Sequence, residues 1–379
     1  MKLRLPALLL VVALAGGACS GDDDTSAALA ADDTTTSTLA AGGSTTTTRP
    51  ASTRSTPSTS STTTSSSTTT TEPEVSVTTL PEGVASPLNG LAATDVELLD
   101  RRALAVKIDN HLQARPQSGI EHADAIVELR VEGGFTRFIA FFHDNDIDYL
   151  GPIRSLRPTD ATVARAAGAP IVISGGQPWI QQLVARQGVG LIGEGRGTFR
   201  LSSRGAPHNL YGSTETLRAV ADSRGYDDDP PGPIVAVGLP DLSNAEPAET
   251  IDLDWGEGNH VTWIYEDGVY ARYQGGLRHD TIDRDGEATQ ITVDHLVVLE
   301  GVLSTAYPPG DGTPVPQTDT LSGGRAYLFA RGVVVEGTWT RAGYDEPFVI
   351  TTPEGDEVTM PPGRPWINVF PEGQPITWS

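Results

Sequence analysis

The strongest constraint on folding is a Ser- and Thr-rich tract that runs from Ser20 to Glu82 and contains the stretch STRSTPSTSSTTTSSSTTTT. The tract has few apolar side chains whose burial could offset the entropy lost on ordering, so we expect it to stay disordered. Thr and Ser with scattered Pro are typical of an extended stalk, which glycans on the hydroxyl groups can stiffen. About 60 flexible residues span roughly 40–45 Å end to end. Folding is therefore expected only in residues 83–379.

The N-terminus predicts export. Lys2 and Arg4 precede the apolar run LPALLLVVALAGGA, which is too short for a membrane span and is typical of a signal peptide over residues 1–19. The run ends at Cys19, the only cysteine in the chain, in a context that resembles the lipidation site of bacterial lipoproteins. We predict an exported protein held at the outer face of the cytoplasmic membrane by a lipid on Cys19. A secreted protein without the lipid is the alternative.

The charge balance limits the kinds of molecule that the protein can bind. The chain has a formal net charge of −23 and a pI near 4.5. Such a chain repels nucleic acid and anionic lipid surfaces, so we expect membrane contact only through the lipid anchor. A cell-wall fragment or another envelope protein remains as the expected partner.

Residues 83–228 mix strands with helices. The segments LAVKID, AIVELRVE, TRFIAFFH and APIVISG have the apolar and β-branched content of strands. The segments RPTDATVARAAGA, PWIQQLVARQ and TETLRAVADSR have helical spacing, the first two with a Pro near the start and the third behind Ser213 as a cap. Gly225 and the run DDDPPGP then mark a boundary between two halves.

Residues 229–379 are predicted to be rich in β-structure. Alternating runs flank Asp267-Gly268, Arg331-Gly332 and Glu354-Gly355, which predicts three hairpins, and PWINVF supplies a late strand. Trp263, Tyr265, Trp339 and Trp366 lie in such runs and are expected in the core. The fold class is therefore α+β, with a mixed sheet and helices first and a β-rich meander second. A layered sandwich and a sheet shared by both halves are both compatible with this pattern.

Several chemistries are excluded by missing motifs. The chain has no phosphate-binding loop, no G-x-S-x-G nucleophile turn, no H-E-x-x-H zinc motif and no second cysteine for a thiolate metal site. Asp144, Asp146 and Asp148 alternate as in a calcium loop, but Tyr149 and Ser155 stand where the loop needs its Gly and its Glu. An acidic surface turn explains these residues better. We predict neither a metal nor a cofactor.

Charged side chains in apolar or turn contexts form the candidate site. Arginine forks hold carboxylates and phosphates through paired hydrogen bonds, so several arginines near the ends of strands suggest an anion-binding cleft. The candidate cleft residues are Asp109, His111, Arg115, Glu132, Arg137, Arg154, Arg157, His208 and Asn209.

Three interpretations of this cluster stay open. Asp109 and Asn110 can bind backbone N–H groups where their strand ends, and the charges can form a purely structural ion-pair network. Glu128, Arg130 and Glu132 alternate along one strand, so they are expected to share a face and to need partners. Alternatively, Asp109 or Glu132 acts as a general base and His208 as a general acid in a hydrolase for an envelope polymer.

Long segments resemble a known family. AVKIDNHLQARPQSGIEHADAIVELRVEGGFTRFIAFF, GPIRSLRP and RGAPHNLY resemble the signature segments of the YerB-like lipoprotein family, and GTWTR and PPGRPWINVFP resemble its C-terminal domain. The resemblance covers nearly all of residues 86–371 in order, although Gly205 and Pro365 stand where Lys and Thr are common. It implies an exported bacterial lipoprotein with an N-terminal domain over 83–228 and a C-terminal domain over 229–379.

The family has no established activity, so the resemblance assigns no catalytic residue. The predicted localisation, the stalk and the arginine cluster without a nucleophile together predict a binding or scaffolding module of the cell envelope. We expect it to recognise an anionic ligand or partner.

Overall fold

The computed structural model describes residues 84–93 and 95–379. The predicted signal peptide, Cys19 and the stalk over 20–82 lie outside these residues. The described residues belong to one compact unit. In the described residues, no helix combines the length and the apolar character that crossing a membrane requires.

The first part of the described chain alternates strands with helices, as its sequence pattern predicts. Its strands are β1 (Leu104–Asp109), β2 (Ala125–Arg130), β3 (Thr136–Phe142), β4 (Ile171–Val172), β5 (Leu191–Ile192), β6 (Thr198–Arg200) and β7 (Leu210–Gly212). Its α-helices are α1 (Pro158–Ala164), α2 (Pro178–Arg186) and α3 (Thr214–Ser223). Short 3₁₀ helices cover Val96–Asp100, Leu112–Ala114, Ile120–His122 and Glu132–Gly134.

The second part contains strands without a described α-helix. They are β8 (Glu246–Pro247), β9 (Thr250–Asp254), β10 (His260–Glu266), β11 (Val269–Gln274), β12 (Leu277–Arg278), β13 (Asp280–Ile282), β14 (Ala288–Gln290), β15 (Thr292–Val293), β16 (His295–Gly301), β17 (Leu303–Ala306), β18 (Val315–Thr318), β19 (Gly324–Ala330), β20 (Val333–Thr340), β21 (Val349–Thr351), β22 (Glu357–Val358), β23 (Pro365–Pro371) and β24 (Ile376–Trp378). The predicted hairpins are β10–β11, β19–β20 and β21–β22.

One large sheet runs through both parts of the chain. Its order is β22-β21-β20-β19-β16-β23-β2-β3-β1-β4-β5, with β8 paired to β20. The parallel pairing of β2 with β23 joins the two parts, with Val127 opposite Ile367. β1 and β2 both run antiparallel to β3, and β4, β5, β16 and β23 run parallel to them. The carboxyl ends of these six strands therefore lie at one edge, which we call the carboxyl edge.

Both faces of the large sheet are covered. On one face, Val127, Leu129 and Ile367 pack with apolar residues of α1 and α2. On the other, Ile126, Phe138 and Trp366 pack with a second, six-stranded sheet of order β12-β11-β10-β9-β24, in which β15 pairs with β11. Alternation along β2 decides this division, because successive side chains of a strand point to opposite faces.

The structure confirms the predicted α+β class and the mixed sheet. The two parts share that sheet, and helices and a second sheet cover its faces, so the molecule is layered. Trp263, Trp339 and Trp366 are buried as expected, whereas Tyr265 is only partly buried.

Candidate functional site

The carboxyl edge explains why distant residues meet. Asp109 ends β1, Glu132 follows β2, and Arg137 is the second residue of the antiparallel β3, so all three lie at this edge. Arg154 and Arg157 come from the segment between β3 and α1, and His208 precedes β7. We call the group formed by Asp109, His111, Glu132, Arg137, Arg154, Arg157 and His208 the Asp109 cleft.

Asp109 is the centre of the cleft and is 2 % exposed. Its Oδ2 accepts a hydrogen bond from Nδ1 of His208 at 2.7 Å, and its Oδ1 accepts one from the backbone N–H of His111 at 3.2 Å. The sequence-based capping interpretation is therefore correct for one oxygen, and the other oxygen binds an imidazole.

Positive charge keeps Asp109 ionised. Burial alone would raise its pKa, but the hydrogen bond from His208 and the charges of Arg137 and Arg154 lower the pKa to about 2. The ring of His208 also stacks on His111, with 4.7 Å between centroids and 15° between planes. His208 is thus held on one side by a carboxylate and on one face by a second imidazole.

Glu132 and Arg157 form the second ion pair of the cleft. Nε of Arg157 donates to Oε2 of Glu132 at 2.8 Å. Burial acts to raise the pKa of Glu132, but the neighbouring Arg157 lowers it below the usual value. Both carboxyl groups that the sequence suggests as general bases are therefore paired and weakly basic.

Arg137 is the most enclosed arginine of the cleft. Its Nη1 donates to the backbone oxygen of Ser155 at 3.1 Å, and its Nε lies 3.9 Å from Asp109. Burial lowers the pKa of Arg137 to about 9, and the charge of Arg157 acts in the same direction. Several guanidinium groups are therefore crowded into one small volume.

A buried ion pair lies next to Arg157 of the cleft. Nζ of Lys107 lies 2.6 Å from Oδ1 of Asp160, and neither side chain is exposed. Asp160 also accepts from the backbone N–H of Arg157 at 2.7 Å, which fixes the start of α1. The pair is not among the residues expected from sequence, although a lysine inside the apolar strand LAVKID signals a buried partner.

The charges of the region do not cancel. Four basic side chains, Lys107, Arg137, Arg154 and Arg157, face three acidic ones, Asp109, Glu132 and Asp160. Arg154 is the side chain left without a hydrogen bond: its Nε lies 3.1 Å from Oδ2 of Asp109, but without hydrogen-bond alignment. Its guanidinium donates to no other group among the described residues.

Arg115 and Asn209, two further candidates, have their hydrogen-bond partners outside this group. Arg115 donates to Oδ1 and to the backbone oxygen of Asn110, at 3.0 and 2.9 Å. Asn209 accepts from Arg200 at 2.6 Å and donates to the backbone oxygen of Leu201 at 3.1 Å. Both residues therefore hold loops next to the cleft. Spacing in the sequence does not distinguish a residue that holds such a loop from one that lines the cleft.

Glu128 belongs to a separate, closed network. Its Oε1 accepts from Arg272 at 3.0 Å, and its Oε2 accepts from Nε1 of Trp366 at 2.9 Å. The guanidinium carbon of Arg272 lies 4.7–5.5 Å from the ring centroids of three aromatic residues, Phe138, Trp263 and Trp366. We call this group the Glu128 network.

The Glu128 network reaches the turn after β1. Nε of Arg272 donates to His279 at 3.0 Å, and His279 contacts Gln117 at 2.9 Å. Gln117 in turn donates to the backbone oxygen of Asp109 at 2.9 Å. Residues of the second part of the chain therefore position the turn that carries Asp109.

The alternating charges of β2 find different partners. The sequence predicts that Glu128, Arg130 and Glu132 form one network, but Arg130 pairs with Glu257 at 2.7 Å and Glu132 with Arg157. The alternation along the strand ends at Arg130, because residues 132–134 form a 3₁₀ turn. Glu132 therefore reaches the cleft while Glu128 stays in the core.

The described residues offer no preformed set of metal ligands. Within residues 84–93 and 95–379, no three His, Cys, Asp or Glu side chains are grouped so as to hold a metal ion. Asp146 of the calcium-like sequence instead pairs with Arg101 at 2.8 Å and with Arg218 at 3.1 Å.

Comparison with known sequences identifies two family segments. Residues 88–227 match the N-terminal domain of a protein of unknown function, DUF3048, and residues 251–367 match the C-terminal domain of the same family. The resemblance seen in the sequence segments is thereby confirmed.

A relative and a solved structure agree with this match. The chain is 29 % identical over 301 residues to the Bacillus subtilis (strain 168) protein named "Putative lipoprotein YerB". The aligned residues cover 76 % of this chain and 86 % of that protein. It is also similar to the crystal structure of YerB protein from Bacillus subtilis, with a TM-score of 0.67 and 26 % identity. That likeness covers 78 % of this chain and 99 % of the other.

Proposed function

The chain belongs to the DUF3048 family, and from this premise we propose that it is a lipid-anchored protein of the cell envelope that binds an anionic group in the Asp109 cleft. The lipoprotein name of the relative and the lone Cys19 after an apolar run support the anchor. The Ser- and Thr-rich tract would then carry the folded unit away from the lipid surface.

The observation that carries the proposal is Arg154. A guanidinium that is mostly buried, lies against a carboxylate and yet donates no hydrogen bond among the described residues has unused donors. Arginine donors bind carboxylates and phosphates strongly, because the hydrogen bonds are charge-assisted and can be paired. The basic excess of the region favours an anion at this point.

Isothermal titration with inorganic phosphate and with galacturonate tests the proposal. The measurement uses residues 84–379, since the described residues in this range belong to one compact unit with its own core. We expect saturable binding that weakens at least about tenfold in the Arg154→Ala/Arg157→Ala variant, because each charge-assisted hydrogen bond contributes about 1.5–3 kcal/mol.

The matched control is Arg278→Ala/Arg284→Ala. These arginines are more than half exposed and pair with Asp280 and Asp148 outside the cleft, so the control changes the net charge equally. Equal weakening in both variants would reduce the effect to overall charge. Absence of binding to the unsubstituted protein would reject the anion site.

A second candidate function is acid–base catalysis on an envelope polymer. The observation in its favour is the 2.7 Å contact between Asp109 and His208. The roles differ from those expected from sequence: Asp109, with its low pKa, would orient His208, and Nε2 of His208 would accept the proton. Release of p-nitrophenol from bis(p-nitrophenyl) phosphate, lost in His208→Gln, would support it. No release would reject the catalytic function.

A further inference from the structure

His208 keeps one ring nitrogen without a hydrogen bond. Its ring is buried, and its Nδ1 lies 2.7 Å from Oδ2 of Asp109. Asp109 is ionised, with a pKa of about 2, so its oxygens only accept and Nδ1 of His208 donates. The other nitrogen, Nε2, forms no hydrogen bond among the described residues. It carries the lone pair of the neutral ring, so a second proton binds at Nε2.

Asp109 holds His208 next to the proposed anion site. The same carboxylate oxygen, Oδ2, lies 3.1 Å from Nε of Arg154. Two side chains that contact one oxygen are neighbours, and charges this close in a partly buried site interact strongly, because little water separates them. A change of charge on His208 should therefore alter the affinity of Arg154 for an anion.

The stacked ring of His111 is less suited to take up a proton. Its Nδ1 accepts from the backbone N–H of Gln113 at 3.2 Å and so caps the short helix that follows. A proton on that nitrogen would break the hydrogen bond. His208 has no such bond to lose at Nε2, so the proton is expected on His208.

The charges that face the cleft from other elements are fixed between about pH 5.5 and 7. Burial lowers the pKa of Arg137, from β3, to about 9, and that of Lys107, from β1, to about 8. Despite burial, Arg157 holds the pKa of Glu132 below its usual value. On the segment of His208 itself, Arg204 donates to two backbone oxygens.

The charge balance of the cleft links a proton to an anion. The ligand-free region already has one more basic than acidic side chain. A proton on Nε2 of His208 raises this excess, and a bound anion lowers it. Each event therefore favours the other, because coupling between two binding events is reciprocal.

We propose that anion binding in the Asp109 cleft is proton-linked through His208. Binding of the anion takes up one proton from the solvent, which adds to the lone pair of Nε2, and rising pH releases proton and anion together. Nδ1 donates to Asp109 in both states, so the ring keeps its position. This inference rests on the proposed anion site and describes its regulation.

Isothermal titration of residues 84–379 with sulfate and with galacturonate tests the inference. The titrations run between about pH 5.5 and 7 in buffers of different ionisation enthalpy. Both ligands keep a fixed charge in this range, since a carboxyl group ionises well below it, so buffer-dependent heat reports protons on the protein. We expect uptake of up to about one proton per anion, and an affinity that falls by up to about tenfold per pH unit, the limit for one linked proton.

His208→Gln keeps a polar side chain that does not titrate. Proton uptake should vanish in this variant, and its affinity should no longer depend on pH. The matched control is His260→Gln, because His260 also lies near a carboxylate, 3.6 Å from Asp254, but is more than half exposed and outside the cleft. The control should keep both the uptake and the pH dependence.

Two further measurements keep the assignment open to contradiction. Uptake that persists in His208→Gln and disappears in His111→Gln would place the proton on His111 and overturn the inference. If His208→Gln does not fold, the imidazole NMR signals of the unsubstituted protein serve instead. Sulfate should move one buried ring toward its doubly protonated form, and unchanged ring signals would overturn the inference.

The two proposals fail in different ways. If neither sulfate nor galacturonate binds the unsubstituted protein, the anion site is rejected and the proton linkage with it. If they bind with no buffer-dependent heat and no pH dependence, the anion site stands and only the proton linkage is overturned.

Discussion

Two clusters in this protein each pair a carboxylate with arginine, and they differ in how they are closed. In the Glu128 network, both charged side chains are fully buried, and three aromatic rings surround Arg272. In the Asp109 cleft, Asp109, Arg137 and His208 are buried, while Arg154 and Arg157 are 12 and 14 % exposed and Glu132 is 40 % exposed.

The difference separates a structural role from a binding role. Oε1 of Glu128 accepts hydrogen bonds from Thr136 and Arg272, and Oε2 accepts one from Trp366, so the carboxylate is satisfied inside the protein. The cleft instead keeps an extra positive charge, and Arg154 donates no hydrogen bond among the described residues, whereas Arg272 donates through Nε and Nη2 and only its Nη1 is unpaired. A closed network stabilises the fold, whereas an open cluster with surplus donors can take a ligand.

The largest effect is expected in the closed network. Arg272→Met removes the cation and leaves the charge of Glu128 in the core, which typically costs about 3–5 kcal/mol of unfolding free energy. Urea denaturation measures the loss. Adding Glu128→Gln should recover part of it, because the buried charge is then gone. A variant as stable as the original chain would contradict a structural role.

An intermediate effect is expected at Asp109 and depends on pH. Its folded-state pKa of about 2 lies below the ordinary 3.8, so its stabilising contribution is complete above about pH 4 and is lost as pH falls toward 2. The integrated loss is about 2 kcal/mol. Urea midpoints between pH 5 and 2 should therefore fall more steeply for the original chain than for Asp109→Asn.

The control for that profile is Asp356→Asn, which removes an exposed carboxyl in a turn. Its slope should parallel that of the original chain. Parallel slopes for Asp109→Asn as well would show that the cleft charges do not stabilise the carboxylate of Asp109.

A smaller effect on stability is expected at Arg154. Arg154→Ala leaves Asp109 with His208 at 2.7 Å and Arg137 at 3.9 Å, so we expect a loss of about 1 kcal/mol. The same variant should weaken phosphate binding, so stability and binding separate. A stability loss as large as that of Arg272→Met would make the cleft a second structural network.

The smallest effect is expected at an exposed pair. Arg278 is 53 % exposed and lies 2.6 Å from Asp280, a pair that solvent screens. Arg278→Ala should change the unfolding free energy by less than about 0.5 kcal/mol, as measured by urea denaturation. A loss above about 1 kcal/mol would show that contact geometry alone, without burial, governs these pairs.

Much of the candidate site could be predicted from local sequence. The sequence groups seven charged or imidazole side chains because charges in apolar strands and stiff turns need partners. The structure brings these side chains together: Asp109, His111, Glu132, Arg137, Arg154, Arg157 and His208. Arg115 and Asn209 were placed in the same cleft because sequence proximity gives no direction for a side chain. Arg115 turns toward Asn110, and Asn209 toward Arg200.

The partners supplied by the second part of the chain could not be predicted. Arg272 and His279 are more than 140 residues from Glu128 and Gln117, and they meet only because β11 packs over β2. The ion pair of Lys107 with Asp160 likewise depends on α1 lying over β1. Contacts of this kind depend on how the layers stack, which no local pattern specifies.

The sequence by itself determined the local structure of this protein. Alternating apolar residues set the strands, Asp-Gly and Arg-Gly steps set the hairpins, and helical spacing after Pro set α1 and α2, because these preferences act over a few residues. Only the tertiary structure decided that the parallel strands end at one edge and that Glu128 is enclosed while Arg154 is left with unused donors. Those outcomes depend on strand order and layer packing, since the same charged residue is structural when buried with partners and available for binding when it is not.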